Sequence, residues 1–379
     1  MKINYNSFRK PMQPDNIDLN GLYDKASYSG IVFDYVLHLL QKKFKDQKGL
    51  DCEVKVGPVK GGERAVEKLV TDLDLKKNPS NILDILRATI TVSDVETLLD
   101  FIDFTTKVTF QYKDFKKSAL NKTVLSGIKD RLRSNVVEIK KNMEIVDICM
   151  DAAKKSEGKD EDYKEEIERK RKHDVSVISN TFRLPEESID FETDAIFDYF
   201  NIFLHEEKNL PSANVGISNG FSLAVSDQVK QKYPFLKAEP KIKESNYMDF
   251  KFYVCIPTPL LENEYMICEV IATLDCFDKV YPKTHILYEA SRKDFKEKVW
   301  DDMKKEELKI LSDTLRQEKY IELIKNYNNK HPSSIQILPY KDDKKLREQI
   351  LNQVCGTLTF TSTIWGCRDL IENTKGIVR

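Results

Sequence analysis

Three stretches of this chain alternate apolar and polar residues with a period of two, one of them far from the other two in sequence. In Tyr265–Leu274, Met266, Cys268, Val270, Ala272 and Leu274 share one face, leaving Glu269 and Thr273 opposite. In Asp249–Ile256, Phe250, Phe252, Val254 and Ile256 share a face, with Asp249, Lys251 and Tyr253 on the other. In Leu86–Val92, Leu86, Ala88, Ile90 and Val92 oppose Arg87, Thr89 and Thr91. This period argues for strands. A sheet with one buried face would gather Asp249, Lys251, Glu269, Arg87 and Thr89 on its other face.

Helical spacing fills much of the rest. Ser27 to about Lys45 and Glu63 to Leu73 read as helices, the second with an apolar stripe of Ala65, Val66, Leu69, Val70 and Leu73. Val95–Phe104 reads as another helix; Leu50–Val56, Val108–Tyr112 and Leu236–Lys243 read as strands. Residues 1–24 read as irregular. From about 115 to 210 the patterns are helical, with a dense charge run at Glu157–His173 that suits a solvated face. The fold class expected is therefore α+β, a mixed sheet with helices on one face. Its parts are an N-terminal helical segment (1–49), a core split between 50–114 and 236–300, a mainly helical insertion (115–235) and a helical C-terminal region (301–379).

Lys and Arg number 61 and Asp and Glu 62, a formal net charge of −1. No global excess of cations points to bulk binding of nucleic acid or membrane, which leaves room only for a local basic cleft. Seven cysteines, an odd count without a Cys-x-x-Cys pair, read as reduced thiols in a reducing compartment. The first residues, Met-Lys-Ile-Asn-Tyr-Asn, lack the apolar core of a signal peptide. No apolar run approaches the ~18 residues of a membrane helix. The expected location is cytoplasmic; delivery into another cell by a route without an N-terminal mark is left open.

The chemistry concentrates in Val59–Val92. Lys60, Arg64 and Lys68 follow at four-residue spacing, which stacks cations along one helix face. Lys60 precedes the helix proper, beside Gly61 and Gly62, and a glycine turn into a helix N-terminus suits a phosphate. The Gly-x-x-x-x-Gly-Lys-Ser/Thr loop is absent. Asp84 opens a strand among apolar neighbours, and Glu269 interrupts an apolar one. A carboxylate there is costly unless paired or metal-bound. Two such carboxylates can hold Mg²⁺ between nucleotide phosphates and an attacking hydroxyl.

In order and spacing, these blocks resemble a RelA/SpoT-type nucleotidyltransferase domain, closest to the small alarmone synthetases and their toxin relatives. The matching positions are Lys60 and Lys68, then Asp84 in Asp-Ile-Leu-Arg-Ala-Thr-Ile, Asn246-Tyr247 before a strand, Glu269-Val270, and His285 with Tyr288 sixteen residues on. The resemblance covers roughly residues 50–112 and 240–295. It implies an ATP-dependent pyrophosphokinase that moves the β,γ-pyrophosphate of ATP to a ribose 3′-hydroxyl. Asp84 and Glu269 would be catalytic and bind Mg²⁺. Lys60, Arg64, Lys68, Arg87, Lys251 and His285 would contact nucleotide, and Tyr247 would stack on the acceptor base. The chain departs from the family at Pro58, Thr89, Asn246, Lys251, Ile271 and Thr273. These changes fall on the acceptor pocket and adenine grip. The acceptor therefore ranges over guanosine or adenosine nucleotides and a tRNA 3′ end. A non-catalytic nucleotide- or protein-binding module on the same fold is the alternative, and a protein activator or host partner could meet the insertion.

Overall fold

A computed structural model describes residues 11–13, 17–71, 78–108, 110–111, 120–155, 209–210, 214–243, 245–257, 265–292, 305–332 and 335–339. The fold is α+β with a mixed five-stranded sheet. Its strands are β1 (Glu53–Val56), β2 (Arg87–Val92), β5 (Asn214–Asn219), β7 (Phe250–Pro257) and β8 (Tyr265–Leu274), in the order β1-β2-β8-β7-β5. Two short antiparallel pairs stand apart: β3 (Phe110–Gln111) with β4 (Asn209–Leu210), and β6 (Leu223–Ala224) with β9 (Gln336–Ile337). The helices are α1 (Leu19–Lys48), α2 (Gly62–Thr71), α3 (Val95–Lys107), α4 (Lys122–Lys155), α5 (Asp227–Lys232), α6 (Asp275–Arg292) and α7 (Lys305–Lys330).

Contacts divide the chain into two units. The first holds Met1–Ile90, Phe101–Ile217 and Phe252–Ile271; the second holds Thr91–Asp100, Ser218–Lys251 and Ala272–Arg379. In the first, Phe44 of α1 meets Phe101 of α3 edge-on, with ring centroids 5.0 Å apart, and Phe101 meets Phe252 of β7 at 6.2 Å. In the second, Phe221 stacks on Phe250 at 5.3 Å and Phe277 of α6 stacks on Tyr320 of α7 at 5.5 Å. Each unit thus has an aromatic core of its own.

The strand periodicity holds at the level of side chains. Met266, Cys268, Val270, Ala272 and Leu274 are all buried, as are Phe250, Phe252, Val254 and Ile256. The opposite face is less open than a half-buried sheet implies: Leu83, Tyr253 and Ile267 form an apolar cluster with Tyr265 against it. Thr273, also on that face, is buried and donates to the Met248 carbonyl at 2.8 Å.

Three expectations need correcting. The first helix begins at Leu19, not Ser27, because Asp18 caps it, accepting from the Gly21 N–H at 2.7 Å. It ends at Gly49, whose φ of 68° closes the helix with an N–H bond to the Lys45 carbonyl. Leu236–Lys243 is not a strand; Pro234–Lys237 forms a 3₁₀ turn and extended chain follows. Pro234 and Pro240 lack the N–H that a ladder needs. Finally, the span expected to be a mainly helical insertion (115–235) also contributes a strand, β5, to the main sheet. Its sequence, Asn-Val-Gly-Ile-Ser-Asn, has too few branched residues to announce a strand. The charge run at 157–173 and Tyr288's side chain lie outside the described residues.

Candidate functional site

The first unit assembles a compact charged cluster. Residues 57–61 connect β1 to α2 and run beside the segment leading into β2. The Gly57 N–H donates to the Arg87 carbonyl at 2.9 Å and the Lys60 N–H to the Ile85 carbonyl at 3.0 Å. The approach is close: a Cβ on Gly57 would stand 3.3 Å from both the Arg87 carbonyl oxygen and its Cγ. This apposition points Lys60 at Asp84: Nζ to Oδ2 is 2.8 Å. One helical turn into α2 and beyond, Lys68 reaches the same carboxylate, 3.1 Å from each oxygen. Both lysines are largely buried along their length, with side-chain exposures of 10% for Lys60 and 27% for Lys68.

The electrostatics follow from that geometry. Burial alone would raise the Asp84 carboxyl, but the charges of Lys60 and Lys68, with hydrogen bonds from both, hold it well below the usual carboxylate range. Burial pulls the Lys60 ammonium down from its ordinary value; the charge of Asp84 opposes this, while Lys68 and Arg87 reinforce it. Two cations therefore share one carboxylate, the charge of Arg87 is felt at Lys60, and the cluster carries surplus positive charge.

Glu269 is joined by backbone to the segment that follows Asp84. Its N–H donates to the Leu86 carbonyl at 3.2 Å. Gln13 makes a second tie: its Nε2 donates to the Ile82 carbonyl at 3.0 Å and the Ile267 carbonyl at 2.8 Å, and its Oε1 accepts from the Ile267 N–H at 2.8 Å. The chain is thus bound to β8 on both sides of Asp84, at Ile82 and at Leu86. Glu269 is 9% exposed.

Other expected residues are placed differently. Arg64 pairs with Glu67 within α2 rather than joining Asp84. Gly62 does not present a bare N–H to a phosphate: Asn142 of α4 accepts from it at 2.8 Å. Gly62 serves close packing, because a Cβ there would collide with the Asn142 carbonyl oxygen. In the second unit, Tyr247 is 6% exposed, and Lys243 sits over its ring, 4.4 Å from the centroid. Tyr281 and Tyr320 pack against that ring at 5.2 and 5.5 Å. Stacking on a base would require Lys243 to leave. His285, half-buried on α6, lies 4.9 Å from the Tyr281 ring. Lys251 is half-buried on β7.

Two contributors had no signal in the sequence. Tyr23 of α1 donates its phenol to the Lys60 carbonyl at 2.6 Å. Burial first, and then the Asp84 charge, push that phenol well above its ordinary range. Asn142 lies mid-helix in α4, where nothing local marks it. Tyr23 at least stands in helical register with Leu19, Leu22 and Ala26, all buried. Among the described residues no group of three or more His, Cys, Asp and Glu side chains is placed to hold a metal ion. No described helix is long and apolar enough to cross a membrane. No model of a known protein family matches the chain, and no curated protein matches it.

Proposed function

We propose that the chain is a Mg²⁺-dependent transferase moving pyrophosphate from ATP to a ribose 3′-hydroxyl of a nucleotide acceptor. One observation carries this: Lys60 and Lys68 both bond the ionised Asp84, with the charge of Arg87 felt at Lys60, on a segment tied to the strand of Glu269. A triphosphate is the ligand whose charge such a surplus of cations matches.

The donor set fits Mg²⁺ in kind. That ion takes oxygen ligands, retains several waters and needs only one or two carboxylates beside substrate phosphates. Asp84 and Glu269 would hold it. Both Asp84 oxygens are bonded to lysine here, so an ion held by Asp84 would have to take the place of a lysine. When bound, the ion would neutralise charge on the phosphates under attack.

The remaining work falls to the chain's own residues. Lys60 and Lys68 hold phosphate oxygens as point charges, and Arg87 adds to the field. Glu269 accepts the proton of the attacking hydroxyl. The 3′-oxygen bonds to the β-phosphorus, the bridge to the α-phosphate breaks, and AMP leaves. Catalysis of this kind is mostly positioning and charge stabilisation.

A second reading, a nucleotide-binding module without chemistry, is favoured by Asp84 being satisfied by its two lysines alone. One experiment separates the two. Protein, Mg²⁺ and γ-labelled ATP are incubated with GDP, GTP, AMP, ADP or tRNA in turn, with Glu269→Gln as control. Label passing to one acceptor, and falling by about a hundredfold or more in the variant, supports transfer. Undiminished turnover in Glu269→Gln removes that residue's role. Nucleotide binding without transfer to any acceptor leaves the module.

A further inference from the structure

Residues 57–61, which carry Lys60, belong to no strand or helix. Four bonds from outside hold this turn and the helix start that follows it. Two come from the segment beside Asp84, the Gly57 N–H to Arg87 and Lys60 N–H to Ile85 bonds. The other two come from helices that contribute nothing to the charged cluster. Tyr23 of α1 donates to the Lys60 carbonyl at 2.6 Å, and Asn142 of α4 accepts from the Gly62 N–H at 2.8 Å. The carbonyl gripped in this way is that of Lys60 and the N–H is that of Gly62 at the start of α2, so they fix the origin of both lysine side chains.

The helices themselves are braced. α4 runs antiparallel to α1 and is pinned to it on either side of Asn142. On one side the Arg131 guanidinium donates to both oxygens of Asp34, at 2.6 and 3.0 Å. On the other, Asn20 donates to Asp147 at 2.6 Å.

Asn142 is an odd choice for a purely structural contact. It is 3% exposed, and its Nδ2 has no partner. A buried donor left unmade is destabilising. An aspartate would accept the same N–H without orphaning a donor, and a carboxylate is favoured at a helix N-terminus. It would also bring negative charge to within two residues of Lys60. The neutral amide holds the turn and leaves the positive surplus intact.

We propose that Tyr23 and Asn142 are positioning residues for Lys60. They fix its ammonium against Asp84, and Asn142 preserves the charge an incoming phosphate requires. The phosphate half of this rests on the nucleotide reading above; the positioning half does not.

The test has two arms. Limited acylation followed by peptide mass mapping reports Lys60 without any nucleotide. Tyr23→Phe keeps the ring and deletes the donor; acylation at Lys60 should rise about fivefold relative to exposed Lys48. Asn142→Ala gives the same readout should Tyr23→Phe fail to fold. An unchanged Lys60 rate in the folded variants overturns the positioning. In the second arm, Asn142→Asp should melt at or above the wild-type temperature yet bind Mg·ATP about tenfold more weakly. Equal affinity overturns the charge argument. If wild type binds no Mg·ATP while Tyr23→Phe frees Lys60, the positioning stands and the nucleotide reading falls.

Discussion

Lys60 and Lys243 each pair with an aspartate, in different units, and the two settings are chemically opposite. Lys60 shares Asp84 with Lys68, so cations outnumber the carboxylate. Lys243 has Asp249 at 2.6 Å and spreads over the Tyr247 ring, with Tyr281 and Tyr320 completing an aromatic wall. The first arrangement has charge to spare for an anion. The second sets Lys243 against the buried Asp249 carboxylate and lays it over a ring. A lysine–aspartate pair by itself therefore says little about function; what distinguishes the two is the second cation on Asp84 and the aromatic ring under Lys243.

The comparison can be broken most forcefully at Tyr247. Tyr247→Ala empties a packed aromatic site, and unfolding in urea should show a loss of about 3–5 kcal/mol. A change below about 1 kcal/mol would mean that the ring is held ready for a ligand rather than packed for stability. Next comes Asp84→Ala, which strands two partly buried ammonium groups. Removing one member of a buried ion pair is strongly destabilising, and with Lys68 partly exposed a loss of about 3 kcal/mol is expected, along with all transfer activity. Stability equal to wild type would show that the pair is solvated. Gly62→Ala forces a methyl group against the Asn142 carbonyl. Overpacking of this kind costs about 1–3 kcal/mol, and thermal denaturation would detect it.

The smallest effect is the sharpest in kind. The folded Asp84 carboxyl ionises well below the unfolded value of about 3.9. As pH falls below that value, the unfolded chain takes up a proton that the folded chain refuses. The contribution of Asp84 is therefore full above about pH 4 and is lost as pH drops toward the folded pKa. Stability measured from pH 6 to pH 3 should decline more steeply in wild type than in Asp84→Asn. Parallel curves would remove the ion pair from the account.

Much of the charged cluster was legible in the sequence. The spacing of Lys60 and Lys68 and the place of Asp84 before an alternating strand are local signals, and the fold brings these three together. What was not legible depends on contacts across the chain. Gln13 binds Ile82 and Ile267 at once, yet it lies in a stretch with no periodicity of its own. Asn142 is set by the register of α4 against α2, which no local pattern encodes. Gly61 and Gly62 suggested a phosphate cradle, whereas Gly62 answers a packing demand from α4. Tyr247 fell where a strand was about to begin, but burial of its ring depends on α6 and α7, far downstream. Charge spacing travels well from sequence to structure; burial does not, because it is decided by whichever helix arrives last.

The central claim is that the surplus of cations around Asp84 binds phosphate. Calorimetric titration of Mg·ATP into wild type, Lys60→Gln and Lys68→Gln tests it directly. The account predicts saturable binding to wild type, with affinity about tenfold lower or worse in each variant. Binding of equal strength in all three, or none in wild type, would contradict it.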